Sequence, residues 1–295
     1  MSVVSFLPRL LLLVIGGVAL AFPAPVFSQS RTESGPVPSI RVKQGDVFFF
    51  YVDVENGTAT VQGRFRDRAV PFFKTERPEQ FGALIGVDLA DPPSQEDLQV
   101  EISSAAGTVE RRHYPVEVLP VYFATQELTV PKNYVDLDEE TAKRAEEEQE
   151  KILKSLNKVT ARKFWEGRFM MPVEGKIAGS FGLRRIMNGQ PRSPHSGEDI
   201  NAPRGTNVLA TNEGLVALVG EFFFSGKSVI LDHGLGLYSM YFHLDAVDVA
   251  EGEKIRKGAV IGKLGATGRA TGPHLHWGTR LNGARVNPLS ILNLE

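Results

Sequence analysis

The chain has 295 residues, which is enough for two domains that each bury a hydrophobic core. Its formal net charge of -2 gives no electrostatic reason to expect binding to nucleic acid, so we predict no nucleic acid partner. It contains no cysteine, which excludes disulfides, thiolate metal ligands and a cysteine nucleophile. Any metal must therefore be held by nitrogen and oxygen atoms.

Residues 1–28 have the pattern of a secretory signal peptide. Arg9 precedes an apolar run from Leu10 to Phe22, two prolines follow the run, and small residues near Ser28 suit cleavage. The run is shorter than the roughly 20 residues that a membrane-spanning helix needs. We predict a periplasmic or secreted protein whose mature chain has no stable membrane span. An uncleaved membrane anchor is the alternative.

Residues 31–130 alternate in short apolar and polar steps between turn residues, as half-exposed antiparallel strands do. Val47 to Val54 is one such run, and Asn56-Gly57 after it predicts a hairpin turn into the next strand. A second hairpin turn is predicted at Ala106-Gly107. We count at least five strands and predict a small β-sandwich. It gathers no titratable groups as an active site would, so we expect an accessory domain.

Residues 136–165 are predicted to form a helical linker. Asp138 is a suitable N-cap, and between residues 138 and 163 acidic side chains come first and basic side chains last. A thin apolar stripe recurs at spacings of three and four and comprises Ala142, Ala145, Gln149, Ile152, Leu156 and Val159. We expect a helix that links two domains and lies on one of them. A coiled-coil partner helix is the alternative.

Residues 169–293 are rich in glycine and β-branched residues and lack helical periodicity. They predict a second, mainly antiparallel β domain, so the expected fold class of the whole chain is mainly β. The predicted strands are Val208 to Val219, Ser228 to Asp232, Tyr238 to His243, Val260 to Leu264 and His274 to Leu281.

Two stretches of this second domain carry the residue types of a metal site. His195 and Asp199 have three residues between them, and His274 and His276 have one. Alternate residues of a strand point to the same face, so His274 and His276 can present both rings to one point. Imidazoles with one carboxylate are what zinc prefers when sulfur is unavailable. The pattern alone does not decide which of the two histidines binds the metal.

At these residues the domain resembles the lysostaphin-type, or LytM, zinc metallopeptidases, which are peptidoglycan endopeptidases with a duplicated hybrid motif fold. The order and separations of the motifs agree over the whole of residues 169–293. One departure follows His276, where the family commonly has an aromatic residue and then an acid and this chain has Trp277-Gly278. The matching motifs are His195-Ser196-Gly197-Glu198-Asp199, Tyr241-Phe242-His243-Leu244, Gly265-Ala266-Thr267-Gly268 and Gly272-Pro273-His274-Leu275-His276.

The resemblance implies that His195, Asp199 and His276 bind Zn²⁺. It makes His243 and His274 the catalytic residues beside the metal, without deciding which of them acts as base. The implied reaction is hydrolysis of peptide bonds in peptidoglycan cross-links or stem peptides through a metal-activated water.

The resemblance also sets the expected partners and the alternatives. A peptidoglycan peptide is the expected substrate, and a cell-envelope protein is an expected further partner. The first alternative function is a non-catalytic cell-envelope regulator that binds peptidoglycan or activates another hydrolase. The second is an envelope module in which the metal only stabilises the fold. The helix or the stretch from Arg184 to Pro194 could also cover the metal and keep the site latent.

Overall fold

A computed structural model describes residues 39–55, 57–132 and 135–294. The predicted signal peptide lies outside these residues. Within the described ranges, no helix has the length and apolar character needed to cross a membrane. The predicted fold class is confirmed, because the described residues are mainly β and an α-helix links an N-terminal β region to a C-terminal β region.

The N-terminal region is a two-layered sheet with strand order β1-β7-β6-β3-β4-β5-β2. Strand β4 joins the layers, because one half of it pairs with β3 and the other half pairs with β5. Inward-facing side chains such as Val52, Phe65 and Val100 form its core. The strands are β1 (Ile40–Lys43), β2 (Val47–Asp53), β3 (Thr58–Phe65), β4 (Arg68–Lys74), β5 (Gln80–Gly86), β6 (Ser94–Ser104) and β7 (Val109–Leu119).

Of the two predicted hairpins, the structure contains the second. Strands β6 and β7 pair antiparallel around Ala106-Gly107, as predicted. The prediction at Asn56-Gly57 is wrong, since β2 pairs with β5 while β3 pairs with β4 and β6. Asn56 lies outside the described residues, and Gly57 adopts a φ of 88°. The chain does turn here, but it passes from one layer to the other.

Helix α1 (Glu139–Leu156) begins as predicted, with the Asp138 carboxylate accepting a hydrogen bond from the Thr141 backbone N–H at 2.8 Å. It ends at Leu156, well before the predicted end near residue 165. The backbone after Leu156 forms hydrogen bonds with the C-terminal region instead of continuing the helix. The Tyr238 hydroxyl donates to Lys158 O, Leu235 N donates to Thr160 O, and Phe164 N donates to His233 O.

Half of the predicted apolar stripe is buried. Ala145, Ile152 and Leu156 are buried, and the last two pack against the sheet residues Leu218 and Phe222. The other stripe positions, at Ala142, Gln149 and Val159, are exposed. The helix therefore lies on the C-terminal region, as predicted, and its stripe is used there rather than in a coiled coil.

The C-terminal region is built on one antiparallel sheet with strand order β17-β14-β15-β16-β19-β12-β9. Three further strands attach to it, β13 and β18 as a pair and β20 beside β19. A separate small sheet has the order β11-β10-β8, with β10 parallel to β8. The strands and the terminal 3-10 helix are β8 (Thr125–Leu128), β9 (Lys176–Ile177), β10 (Arg184–Met187), β11 (Gln190–Arg192), β12 (Gly197–Asn201), β13 (Asn207–Leu209), β14 (Gly214–Phe222), β15 (Gly226–Gly234), β16 (Leu237–Val247), β17 (Lys254–Ile255), β18 (Val260–Leu264), β19 (Leu275–Leu281), β20 (Ala284–Val286) and the 3-10 helix Pro288–Asn293.

The two β regions share a packed boundary. Val47 and Leu84 of the N-terminal region belong to the same apolar core as Val286. At the edge of this core, the Arg285 guanidinium makes two hydrogen bonds to the Asp88 carboxylate, at 2.6 and 2.9 Å. Apolar contact and a bidentate ion pair therefore hold the two regions together.

Candidate metal centre

Strand pairing places two of the predicted ligands, Asp199 and His276, opposite each other. In the antiparallel pair of β12 and β19, Asp199 lies directly across from His276. The His276 Nδ1 atom is 3.0 Å from Asp199 Oδ1. Residues directly opposed in antiparallel strands bring their side chains together on one face. The register of two strands therefore forms this half of the cluster.

A loop before β12 supplies the third predicted ligand. The His195 backbone is held on both sides, because its N–H donates to Leu183 O at 2.9 Å and its carbonyl accepts from Gly182 N at 2.8 Å. The His195 Nε2 atom lies 2.7 Å from His276 Nδ1 and 3.2 Å from Asp199 Oδ1. Three potential metal-binding atoms, from His195, Asp199 and His276, thus converge on one point.

These separations suit a small metal ion. Four ligand atoms arranged tetrahedrally about zinc, at bond lengths of ~2.0–2.1 Å, lie about 3.3 Å from one another. The three separations of 2.7, 3.0 and 3.2 Å are slightly shorter than this distance. A donor set of two imidazoles and one carboxylate leaves one position of a tetrahedral site for another ligand. The residues present therefore fit zinc with an open coordination position.

Gly197 provides the space that the His276 ring occupies. A Cβ atom at Gly197 would lie 2.6 Å from His276 Nε2 and 2.7 Å from the Trp277 carbonyl oxygen. On its other side the His276 ring stacks on Phe242, with 5.5 Å between centroids and 6° between planes. The ring is thus held between a glycine and an aromatic side chain.

Burial and charge keep the cluster in the state that binds metal. Burial alone raises the pKa of the Asp199 carboxyl, but hydrogen bonds from His195 and His276 outweigh burial, so that its pKa lies well below the usual range. Burial lowers the pKa of His276 to about 4 and also lowers that of His195. At neutral pH the cluster therefore holds one carboxylate and two neutral imidazoles.

His243 and His274 lie beside this cluster. The His243 and His274 ring centroids are 4.8 Å apart, and His274 Nε2 lies 3.8 Å from Asp199 Oδ1. Each ring donates its Nδ1–H to a backbone carbonyl, His243 to Thr267 O and His274 to Gly272 O, both at 2.8 Å. In the neutral form of either ring, this pairing leaves Nε2 with a lone pair.

The environment of His243 favours the neutral form. Burial is the main cause that lowers its pKa to about 3, with further contributions from His276 and His274. His243 also has a positive φ of 65°, which is uncommon for a residue with a side chain. A register shift between β15 and β16 accompanies this conformation, and the His243 N–H donates to Ser225 O at 2.9 Å.

Two features of the site were not found from the sequence. The Glu198 carboxylate is buried behind β12 and accepts hydrogen bonds from the backbone N–H groups of Ser180 and Phe181, at 2.8 and 3.3 Å. It therefore anchors the segment that borders the His195 loop. Arg185 Nη2 lies 4.0 Å from Asp199 Oδ2. The place of Glu198 next to Asp199 on one strand was a signal that its side chain points away from the metal ligands, whereas nothing in the local pattern marked Arg185.

Two further polar residues of the C-terminal sheet lie in other hydrogen-bond networks. His233 is fully buried and bonds through Nδ1 to Glu213 O at 2.6 Å and through Nε2 to Ser239 Oγ at 2.7 Å. The Tyr238 hydroxyl donates to Lys158 O. Gly278, at the position where the resembled family commonly has an acid, packs against Met240.

Part of the C-terminal region matches a known protein family. Residues 193–288 match the family model described as Peptidase family M23. The DD-carboxypeptidase/endopeptidase Mpg of Neisseria meningitidis is 41% identical over 116 residues, which are 39% of this chain and 27% of that protein. The peptidoglycan DD-endopeptidase ShyA of Vibrio cholerae is 36% identical over 121 residues, which are 40% of this chain and 28% of that protein. The chain therefore spans little more than a quarter of these relatives' length.

A solved structure extends the similarity to most of the chain. It comes from Pseudomonas aeruginosa and is described as a candidate peptidase M23. It is 30% identical, matches with a TM-score of 0.65, and the alignment covers 83% of this chain and 92% of that chain.

Proposed function

Because the chain belongs to peptidase family M23, we propose that it is an exported, zinc-dependent endopeptidase. Its substrate is a peptide bond in peptidoglycan cross-links or stem peptides. We assign catalysis to residues 169–293, an accessory role to residues 31–130, and linkage to residues 136–165. Export follows from the signal peptide pattern of residues 1–28.

The convergence of His195, Asp199 and His276 is the observation that carries this proposal. Three ligand atoms lie within 3.2 Å of one another in a chain region that also brings two further imidazoles to the same place. We assign these three residues as the metal ligands. Zinc, when bound, supplies a Lewis acid that polarises a peptide carbonyl and makes water a nucleophile at neutral pH.

His243 and His274 then move protons. Each holds its proton on Nδ1 through a backbone carbonyl, so its Nε2 can accept a proton from the attacking water. Once protonated, the same nitrogen can donate to the leaving amine or stabilise the developing oxyanion. We assign these roles to the pair jointly, because both rings have the same hydrogen-bonding arrangement.

The substrate assignment rests on the two relatives with named activities, a DD-carboxypeptidase/endopeptidase and a peptidoglycan DD-endopeptidase. The segment that matches the family model, residues 193–288, contains every residue of the proposed site. A peptide bond of peptidoglycan is therefore the favoured target, and an envelope protein remains an expected further partner.

Digestion of purified peptidoglycan tests the proposal. The wild-type protein should carry zinc and release peptide fragments that mass spectrometry can identify. His195→Ala should lose both zinc and activity. His243→Ala should keep zinc while its rate falls by about 100- to 10,000-fold, as expected when a general acid–base group is removed.

His113→Ala is the matched control, because His113 is exposed on β7, where Asp97 is its charged neighbour at 3.5 Å. It should keep both zinc and activity. Wild-type protein that binds zinc but cleaves no bond would contradict the endopeptidase assignment and favour the regulatory alternative.

A further inference from the structure

Arg185 is held in a fixed place next to the proposed metal ligands. It lies on β10, the central strand of the small sheet, opposite Gln126 of β8 on one side and Arg192 of β11 on the other. Alternate residues of a strand share a face, so Arg185 points the same way as the buried Met187. The sheet therefore directs this guanidinium inward, and pairing on both sides fixes its backbone.

The Arg185 side chain has no hydrogen-bond partner among the residues that the structure describes, and its Nε atom is buried. The nearest acid is Asp199, whose Oδ2 lies 4.0 Å from Nη2. That distance exceeds the 2.7–3.2 Å of a hydrogen bond. Because only 22% of the side chain is exposed, water can reach only part of the guanidinium.

A guanidinium in this position lacks an acceptor. A partly buried charge is unfavourable unless hydrogen bonds compensate for lost hydration. Asp199 can offer little compensation, because its other oxygen faces His195 and His276 and its charge would be shared with a bound metal. The exposed part of Arg185 is therefore available to an anion that enters the site.

The position of Arg185 also indicates which kind of anion it would bind. The guanidinium lies 4.0 Å from an oxygen of a proposed metal ligand, so it borders the space where a scissile peptide bond must lie. A planar guanidinium matches a carboxylate in a bidentate arrangement. We propose that Arg185 binds a free carboxylate of the substrate peptide next to the scissile bond. This inference rests on the proposed function and adds that the preferred substrate carries a negative charge next to the scissile bond.

Two synthetic peptides test it. They share one sequence and one scissile bond, and the residue next to that bond carries a free carboxylate in one and a neutral carboxamide in the other. Wild-type protein should cleave the carboxylate peptide with a kcat/KM about 10- to 100-fold higher, as expected for hydrogen bonds to a charged group. In Arg185→Gln the ratio of the two kcat/KM values should fall to about one.

Arg192→Gln is the matched control, because it removes the same charge from the paired strand, where its guanidinium bonds to Gln190 and Val135. It should keep the wild-type ratio. Arg185→Lys keeps the charge but loses the bidentate geometry, so its ratio should lie between those of wild type and Arg185→Gln. It also provides a folded comparison if Arg185→Gln is unstable. Zinc content is measured for every variant.

The outcomes separate this inference from the proposed function. Wild-type protein that cleaves neither peptide contradicts the proposed function and this inference with it. Equal cleavage of both peptides contradicts only the role of Arg185. A variant Arg185→Gln that keeps the wild-type ratio would overturn substrate binding by Arg185, and reduced zinc content in that variant would make Arg185 a support for Asp199.

Discussion

Gly197 determines how closely His276 can approach β12. In Gly197→Ala the added Cβ would meet His276 Nε2 at 2.6 Å, so the ring must move away from Asp199. We expect zinc affinity to fall by at least about tenfold, the lower end of the effect seen when groups that orient ligands are lost. Competition with a chromophoric chelator measures this change.

Gly272→Ala is the control for Gly197, since a Cβ at that position meets nothing within 4 Å and the backbone φ there is not positive. Its zinc affinity should match that of wild type. Unchanged affinity in Gly197→Ala would show that His276 does not need the close approach.

His233 makes stability depend on pH. Burial lowers its pKa to about 4 in the folded protein from 6.5 in the unfolded chain. The unfolded state therefore binds more protons between these values, so stability is full above pH 6.5 and falls as pH drops towards 4. The loss amounts to at most about 3 kcal/mol.

The measurement is urea unfolding of the metal-free protein at several pH values, for wild type and His233→Gln. The buried site histidines contribute a loss of the same sign, so the comparison isolates His233. The variant should show a shallower decline with acidification. Identical pH dependence in both proteins would contradict the buried neutral imidazole.

At the residue scale, the sequence predicted which residues converge but not what surrounds them. His274 and His276 stood out because alternate residues of a strand share a face, and His195 and Asp199 stood out because they supply the ligand types that zinc prefers when sulfur is unavailable. Arg185 did not, because its neighbour Asp199 is brought near only by the fold. The assignment of the converging residues as ligands stays a prediction.

Helix α1 is held to the C-terminal region by few side chains, so one substitution should loosen it. Leu156 is buried against Leu218 and Phe222. Leu156→Ala should lower the free energy of unfolding by about 2 to 4 kcal/mol, through lost burial and the cavity left behind. Urea denaturation measures the change.

Val159→Ala is the control, because Val159 belonged to the same predicted stripe but lies beyond the end of α1 and is exposed. It should change stability by less than about 0.5 kcal/mol. An equal loss in both variants would contradict the packing of the helix against the sheet.

At the element scale, local patterns predicted where elements begin better than how they pair or end. The Asp138 cap marked the start of α1 through contacts within four residues. The end was not predictable in this way, because residues 158–164 exchange helical hydrogen bonds for bonds to residues 233–238. The Asn56-Gly57 error has the same origin, since a turn signal does not state which layer the next strand joins.

At the scale of the whole molecule, the Asp88–Arg285 pair should couple the stability of the two β regions. The Asp88 carboxylate is largely buried and bonds to both the side chain and the backbone N–H of Arg285. Asp88→Ala leaves the guanidinium without its partner, so we expect a loss of about 2 kcal/mol or more in the free energy of unfolding.

Calorimetry measures the free energy of unfolding of Asp88→Ala, with Glu117→Ala as the control. Glu117 pairs with Arg41 at 2.9 Å, but the two side chains are 35% and 65% exposed, respectively. Its loss should cost less than about 1 kcal/mol. A similar loss in both variants would contradict the role of Asp88 at the boundary.

The central claim is that His195, Asp199 and His276 hold one zinc ion. An X-ray structure of the zinc-loaded protein, with anomalous diffraction at the zinc edge, tests it most directly. We predict one anomalous peak about 2.0–2.2 Å from His195 Nε2, Asp199 Oδ1 and His276 Nδ1, with His243 and His274 outside bonding distance. A peak bound instead by His243 or His274, or no peak among these residues, would contradict the account.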